Sequence, residues 1–271
     1  MLESLEHEES SFITLTYKED MLPFMVDLPV PTLCVRDAQL FLKRLRKGLT
    51  DHARKEIKKK TGKKKLKLPS FQFRYYLCGE YGPRGGRPHY HAILFGVPPD
   101  AAKFIEKAWS IEGEPIGRID VQPINENNIQ YVAGYVTKKM TRRGDGRKPE
   151  FSIMSRKPGI GANAVPKLVE LFSNPDTGQY FDIVHEAPVL MHGRKQLPLG
   201  RYLRDKVLDE MGLERDLTPY IEEMFQKYLE AKRSNKYVNC YLERLLIDES
   251  KQRNLQMRAI HKIYNSRNKA I

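Results

Sequence analysis

Cysteine and tryptophan are scarce in this sequence of 271 residues, which contains three cysteines and one tryptophan. Cys34, Cys78 and Cys240 lie far apart in the chain and form no CxxC pair. This spacing predicts no disulfide framework, and a reducing compartment such as the cytosol fits it best.

Long apolar runs are also absent. No stretch of about 18 uninterrupted apolar residues occurs, so no transmembrane helix and no membrane partner are expected. The opening residues, MLESLEHEESS, are acidic and lack an apolar core, which excludes a secretory signal. No GxxxxGK[ST] motif occurs, so any helicase activity that the protein needs must come from another protein.

Basic residues are what the sequence has in excess. Lys and Arg number 47 against 34 Asp and Glu, which gives a net charge of +13 and favours a polyanionic partner, most often nucleic acid. Nine of the fourteen residues in the segment RKEIKKKTGKKKLK, 54–67, are Lys or Arg. The segment is either a solvated loop or an arm that contacts DNA phosphates, and the two interpretations are compatible. The candidate DNA-binding residues are Lys58, Lys59, Lys60, Lys63, Lys64 and Lys65.

The hydrophobic pattern predicts the order β-α-β-β-α-β-α in the first part of the chain. Strands are predicted over 11–17, 71–82, 87–97 and 117–124. Helices are predicted from Asp37 as the N-cap, over 99–110 and over 125–140, the last with Asn125 or Asn127 near its cap. Two crossover helices around a central hairpin indicate an α+β fold, a ferredoxin-like or RRM-like antiparallel sheet with its helices on one face. We expect a first domain over 1–165 and a mixed, then helical, extension over 166–271.

Two histidines share one face of the third predicted strand. In PHYHAILF, alternation places His89 and His91 on one face and turns Tyr90 to the other, where we expect it to pack. A lone His-x-His pair is often structural, but Glu80 ends the preceding strand and should lie beside the histidines in a hairpin. One carboxylate and two imidazoles leave coordination positions open and suit Mg²⁺ or Mn²⁺. Such an ion can polarise a phosphodiester.

A helix face carries two tyrosines and a lysine. Tyr131 and Tyr135 are four residues apart, and Lys138 is three further on, so all three lie on one face. Tyrosines at this spacing are common in cores and interfaces, and lysines are common at helix ends. Beside a metal site, a phenol can attack phosphorus and form a covalent phosphotyrosyl enzyme. Lys138 could lower the pKa of the phenol or position the phosphate. Two tyrosines side by side allow a second attack while the first remains loaded.

These motifs resemble those of the HUH endonucleases, which are named for a His-hydrophobic-His strand. FITLTY resembles their first motif, PHYHAILF the second, and YVAGYVTK the third in its two-tyrosine form. Together with CGEYGPRGGRPHYHAILFG and EFSIMSRKPGIG, they are most similar to the replication initiators of the microviruses, of the gokushovirus type. The resemblance is dense over residues 11–162 and thin beyond them.

The resemblance implies a metal-dependent enzyme that nicks and rejoins single-stranded DNA at a phage origin to start rolling-circle replication. It implies His89 and His91 as metal ligands, Glu80 as a looser third ligand, Tyr131 and Tyr135 as nucleophiles and Lys138 as the motif lysine. The product would be a 5′-phosphotyrosine and a free 3′-hydroxyl that primes a host polymerase. The implied partners are origin DNA and the host polymerase and helicase, in the cytoplasm of a bacterial host.

Two other functions fit parts of the sequence. One is a non-catalytic module that binds single-stranded nucleic acid on an RRM-like sheet, with Tyr75, Tyr76 and Tyr90 as a stacking platform. The other is an HUH relative from a plasmid or transposon. The paired tyrosines favour a replication or transposition enzyme over a single-tyrosine plasmid initiator.

Overall fold

A computed structural model describes residues 1–26, 28–62, 70–83, 85–138, 146–173, 183, 188–192 and 195–214, with a few positions between 222 and 230. Two compact units make up the chain, Met1–Lys167 and Leu168–Ile271, and each is described by itself. None of the helices in the described part of the chain has the length and apolarity that crossing a bilayer requires.

A five-stranded antiparallel sheet forms the centre of the first unit. The strands of this unit are β1 (Ser10–Thr16), β2 (Phe24–Met25), β3 (Leu28–Pro31), β4 (Arg74–Tyr81), β5 (Pro88–Phe95), β6 (Ser110–Ile111), β7 (Glu114–Pro115), β8 (Ile119–Pro123) and β9 (Phe151–Met154). Two short pairs, β2 with β3 and β6 with β7, stand apart, and the sheet order is β8-β1-β5-β4-β9. The sheet and its flanking helices confirm the predicted α+β, ferredoxin-like class.

The helices of the first unit are α1 (Val35–Thr61), α2 (Ala102–Ala108) and α3 (Glu126–Lys138). Short 3₁₀ turns lie at Leu2–Glu6, Glu19–Met21, Pro99–Ala101 and Ala162–Ala164. The prediction of Asp37 as the cap of α1 is wrong, because Cys34 holds that position. Asp37 lies in the first turn, where the helix dipole favours an acidic residue, and it accepts a hydrogen bond of 2.7 Å from Tyr17 Oη.

One face of the sheet packs against α1 and α2. Alternate residues of β1 and β5 point to this face and are fully buried, namely Ile13, Leu15, Tyr90, Ala92 and Leu94. Phe41 and Leu45 of α1 and Trp109 just after α2 complete this core. Because these residues recur at period two in the strands and at i, i+4 in α1, the pattern was readable from the sequence.

The opposite face packs against α3. Phe12, Ile93 and Phe95 from the sheet form a second buried cluster with Ile129 and Val132 of this helix. The prediction of helices on one face only is therefore wrong. The physical reason is that β1 and β5 carry apolar side chains on both faces, so both faces must be covered. This arrangement sets α3 beside the histidine face of β5.

The edge strand β9 was not predicted from the sequence. Phe151–Met154 pairs antiparallel with β4, with Ser152 opposite Cys78. Its four residues stand among basic and turn-forming residues, a composition that indicates a loop. The strand forms because β4 offers an open edge and the Phe151 ring packs on the Cα of Gly79, where a β-carbon would come within 2.7 Å of that ring.

The described residues of the second unit are mixed and then helical. Helix α4 (Val165–Ser173) spans the division between the units, and β10 (Val189–His192) pairs with β11 (Lys195–Pro198) before α5 (Arg201–Met211). In α5, Arg204 is buried and its Nε donates a hydrogen bond of 2.8 Å to the carbonyl oxygen of Ile183. The domain boundary at 165/166 stays a prediction.

Candidate metal and nucleophile site

The β4–β5 hairpin brings the predicted metal ligands together. Its register sets Glu80 opposite His89 and Cys78 opposite His91, and β1 sets Thr14 opposite His91 from the other side. Because residues directly opposite share a face of the sheet, Glu80, His89, His91 and Thr14 all lie on the α3 side.

Three ligand atoms converge at this position. His89 Nε2 lies 2.6 Å and His91 Nε2 lies 3.3 Å from Glu80 Oε1. All three residues offer atoms within 4.8 Å of one another, a spacing that one metal ion can bridge. Glu80 and His91 are buried, whereas His89 is half-buried. The cluster is therefore reached from the side of His89.

The second nitrogen of each histidine has its own polar neighbour. His89 Nδ1 lies 3.1 Å from the Arg87 carbonyl oxygen, and His91 Nδ1 lies 3.0 Å from Thr14 Oγ1. Such contacts orient the rings of metal-binding histidines. They leave both Nε2 atoms directed at Glu80, so this donor set fits a divalent ion that accepts mixed nitrogen and oxygen ligands.

The Glu80 carboxyl is ionised in this environment. Burial by itself would raise its pKa, but hydrogen bonds and positive charge from His89 and His91 outweigh burial and lower the pKa to about 2. A carboxylate that keeps its negative charge at neutral pH attracts a cation to the pair of imidazoles.

Helix α3 carries the first predicted nucleophile to this cluster. The Tyr131 ring stands edge-on to the His91 ring, with centroids 5.1 Å apart, and edge-on to Phe12 at 6.4 Å. The helix start is fixed by two reciprocal bonds, from Asn128 N to Asn125 Oδ1 at 2.9 Å and from Asn125 N to Asn128 Oδ1 at 2.8 Å. This confirms Asn125 as the predicted cap.

The other predicted residues are only partly described. The α3 backbone includes Tyr135 and Lys138, but their side chains lie outside the described residues, as do Lys63, Lys64 and Lys65 altogether. Lys58, Lys59 and Lys60 are exposed in the last turn of α1, which ends at Gly62 with a φ of 67°. These three lysines are separate from the metal cluster in sequence and in secondary structure.

Thr14 is a site residue that the sequence reasoning missed. It lies in FITLTY, and the same alternation that buries Ile13 and Leu15 sets it on the histidine face. That parity was available in the sequence, but its partner was not, because the pairing of β1 with β5 joins segments 77 residues apart.

The tyrosine platform of the binding-module alternative does not form. Tyr90 is fully buried on the α1 side, where its hydroxyl lies 2.8 Å from that of Tyr17. Tyr76 lies on the opposite face, in the row of Ile93. Three rings divided between two faces cannot stack successive bases of one strand. The prediction that Tyr90 is a packing residue is confirmed.

The fold and site together define an α+β domain with a Glu-His-His cluster on an antiparallel sheet, next to a tyrosine-bearing helix. Comparison with known proteins agrees with this class. Residues 10–140 match a family model of replication-associated proteins, the ORF2 family. No solved structure matches the chain.

Two curated relatives are phage proteins. Replication-associated protein VP4 of Bdellovibrio phage phiMH2K is 28% identical over 220 residues, which are 75% of this chain and 59% of that protein. Replication-associated protein ORF4 of Chlamydia phage 1 is 29% identical over 157 residues, which are 51% of this chain and 33% of that protein. The chain thus matches less than two thirds of the length of either relative. It is a relative of phage replication-associated proteins, as its motifs predicted.

Proposed function

We propose that the protein initiates rolling-circle replication of a phage genome by nicking and rejoining single-stranded DNA through a covalent 5′-phosphotyrosine. The observation that carries this proposal is the Glu80–His89–His91 cluster with Tyr131 beside it. The relation to proteins named replication-associated supports the biological setting, which would be the cytoplasm of a bacterial host.

The first step is a transesterification by Tyr131 or Tyr135. The phenol loses its proton and its oxygen bonds to phosphorus, while the bond from phosphorus to the 3′-oxygen breaks and that oxygen takes up a proton. Mg²⁺ or Mn²⁺ held by Glu80, His89 and His91 would supply Lewis-acid stabilisation of the phosphate charge. The 3′-hydroxyl then primes the host polymerase, with unwinding by a host helicase.

The second step uses the other tyrosine. Since the two residues are one helical turn apart, one can attack the regenerated origin while the first still carries DNA. The free 3′-hydroxyl made by this second cut resolves the first phosphotyrosine and closes a circle. Lys138 lies on the same helix three residues after Tyr135, and we propose that its charge faces the reacting phosphate.

Adduct formation tests this proposal. Labelled single-stranded oligonucleotides that tile the genome carrying this gene are incubated with protein and Mn²⁺, then denatured and separated by size. We expect a denaturation-resistant adduct with one oligonucleotide, lost in EDTA and in the double variant Y131F/Y135F. The control Y202F changes an exposed tyrosine of α5 and should keep the adduct. Adducts that persist in the double variant would refute tyrosine attack from α3.

A further inference from the structure

A cleft of about 680 Å³ opens next to the metal cluster. His89 lines it together with Thr16, and its floor is largely backbone and ring atoms of Gly82, Pro88, Pro115 and Gly117. Three basic side chains stand around it, namely Lys18, Arg87 and Arg118. The cleft therefore combines an apolar floor with a positively charged rim, and it begins at a metal ligand.

The sheet register aligns this cleft with the cluster. Thr16 lies opposite His89, and both its N–H and its hydroxyl donate 3.0 Å hydrogen bonds to the Arg118 carbonyl oxygen. Glu80, His89, Thr16 and Arg118 thus form one row across the sheet. With neighbouring chain segments about 4.8 Å apart, the Arg118 backbone is roughly 10 Å from that of His89.

The cleft continues away from the nucleophile. Tyr131 packs against His91, whereas the cleft begins at His89 and extends toward Arg87, in the other direction along β5. A strand whose scissile phosphate lies at the cluster beside Tyr131 would therefore run into the cleft. The floor would face its sugars and bases, and the rim its phosphates.

The rim charges are available to a polyanion. Arg87 pairs with Glu19 at 2.5 Å, and Lys18 with Asp20 at 3.3 Å, but both carboxylates are strongly exposed. Exposed ion pairs contribute little stability, so a phosphate can replace these partners at small cost. Among the described residues, the guanidinium of exposed Arg118 forms no ion pair.

We propose that this cleft binds the single-stranded DNA next to the scissile phosphate, with Arg118 and Lys18 as phosphate-binding residues. The inference rests on the proposed function for its choice of ligand. It differs from the Lys-rich end of α1 as a DNA site, since it uses the residue before β8 and the segment after β1, directly beside the metal cluster.

Binding without cleavage tests the cleft separately from the nicking activity. Fluorescence anisotropy measures the affinity of full-length protein for fluorescein-labelled (dT)₁₂ in EDTA, at several salt concentrations. We expect R118A to weaken binding about 3–10-fold and to lower the slope of log K against log salt by about 0.7, the value for one phosphate contact on a single strand. K18A should have the same kind of effect, and it serves if R118A fails to fold.

The matched control is R156A. Arg156 is also exposed and carries the same charge, but it follows β9 at the opposite end of the sheet. It should change neither the affinity nor the slope beyond about 0.2. If folded R118A and K18A proteins bind (dT)₁₂ as R156A does, the cleft is not a DNA site. Because no cleavage is measured, this failure would leave tyrosine attack untouched, and loss of adducts in Y131F/Y135F would leave the cleft result untouched.

Discussion

Glu80 is the residue on which the candidate metal site depends, since both imidazoles turn toward one of its oxygens. His-x-His spacing and the hairpin together predicted this trio from the sequence. The partners of the two Nδ1 atoms could not be predicted, because they come from a strand far away in the chain and from the backbone of Arg87.

Replacing Glu80 by glutamine should weaken metal binding. The substitution keeps the shape of the side chain but removes the charge that attracts the cation, so we expect the Kd for Mn²⁺ to rise at least about tenfold, the loss that even outer-shell changes cause. Electron paramagnetic resonance of free Mn²⁺ gives the measurement. E106Q, which changes an exposed carboxylate on α2, is the control. Equal Mn²⁺ affinity in the two variants would mean that Glu80 is not a ligand.

At the scale of the element, Tyr90 connects β5 to the start of α1. Its hydroxyl accepts a hydrogen bond of 2.9 Å from Cys34 N and lies 3.0 Å from the Cys34 carbonyl oxygen and 2.8 Å from Tyr17 Oη. Tyr17 Oη in turn donates to Asp37. Burial raises the pKa of the Tyr90 phenol well above its usual value, so the group stays protonated at neutral pH.

Removing this hydroxyl should destabilise the first unit. In Y90F the partly buried N–H of Cys34 loses its acceptor, and we expect a loss of about 1–3 kcal/mol in the free energy of unfolding. Urea denaturation followed by circular dichroism measures it. Y202F, at an exposed position in the second unit, should change stability by less than about 0.5 kcal/mol. An unchanged urea midpoint for Y90F would show that water replaces the lost partner.

Periodicity predicted the elements of the first unit well, and pairing was harder to predict. The four strands and three helices up to α3 were found because each repeats apolar residues at period two or at three and four. Strand β9 was missed because its four residues gain strand character only from the open edge of β4. The position of α3 was misjudged because the second apolar face, with Phe12, Ile93 and Phe95, was not weighed as a core.

At the scale of the whole molecule, the net charge of +13 predicts strongly salt-dependent binding to single-stranded DNA. We expect K58Q/K59Q/K60Q to lower the slope of log K against log salt for (dT)₁₂ by up to about 2, since each lost phosphate contact counts about 0.7. The control K43Q/K47Q/K103Q removes the same charge from exposed positions on α1 and α2. If both triple variants lower the slope equally, only the total charge matters and the end of α1 is no specific contact.

Mass spectrometry of the covalent adduct tests the central claim most directly. Both candidate nucleophiles fall in one tryptic peptide, IDVQPINENNIQYVAGYVTK, residues 119–138. After trypsin and nuclease digestion of the adduct formed in Mn²⁺, this peptide should carry the added mass of a nucleotide, with fragment ions that assign it to Tyr131 or Tyr135. Nucleotide mass on any other peptide, or on none, would contradict tyrosine-linked nicking by α3.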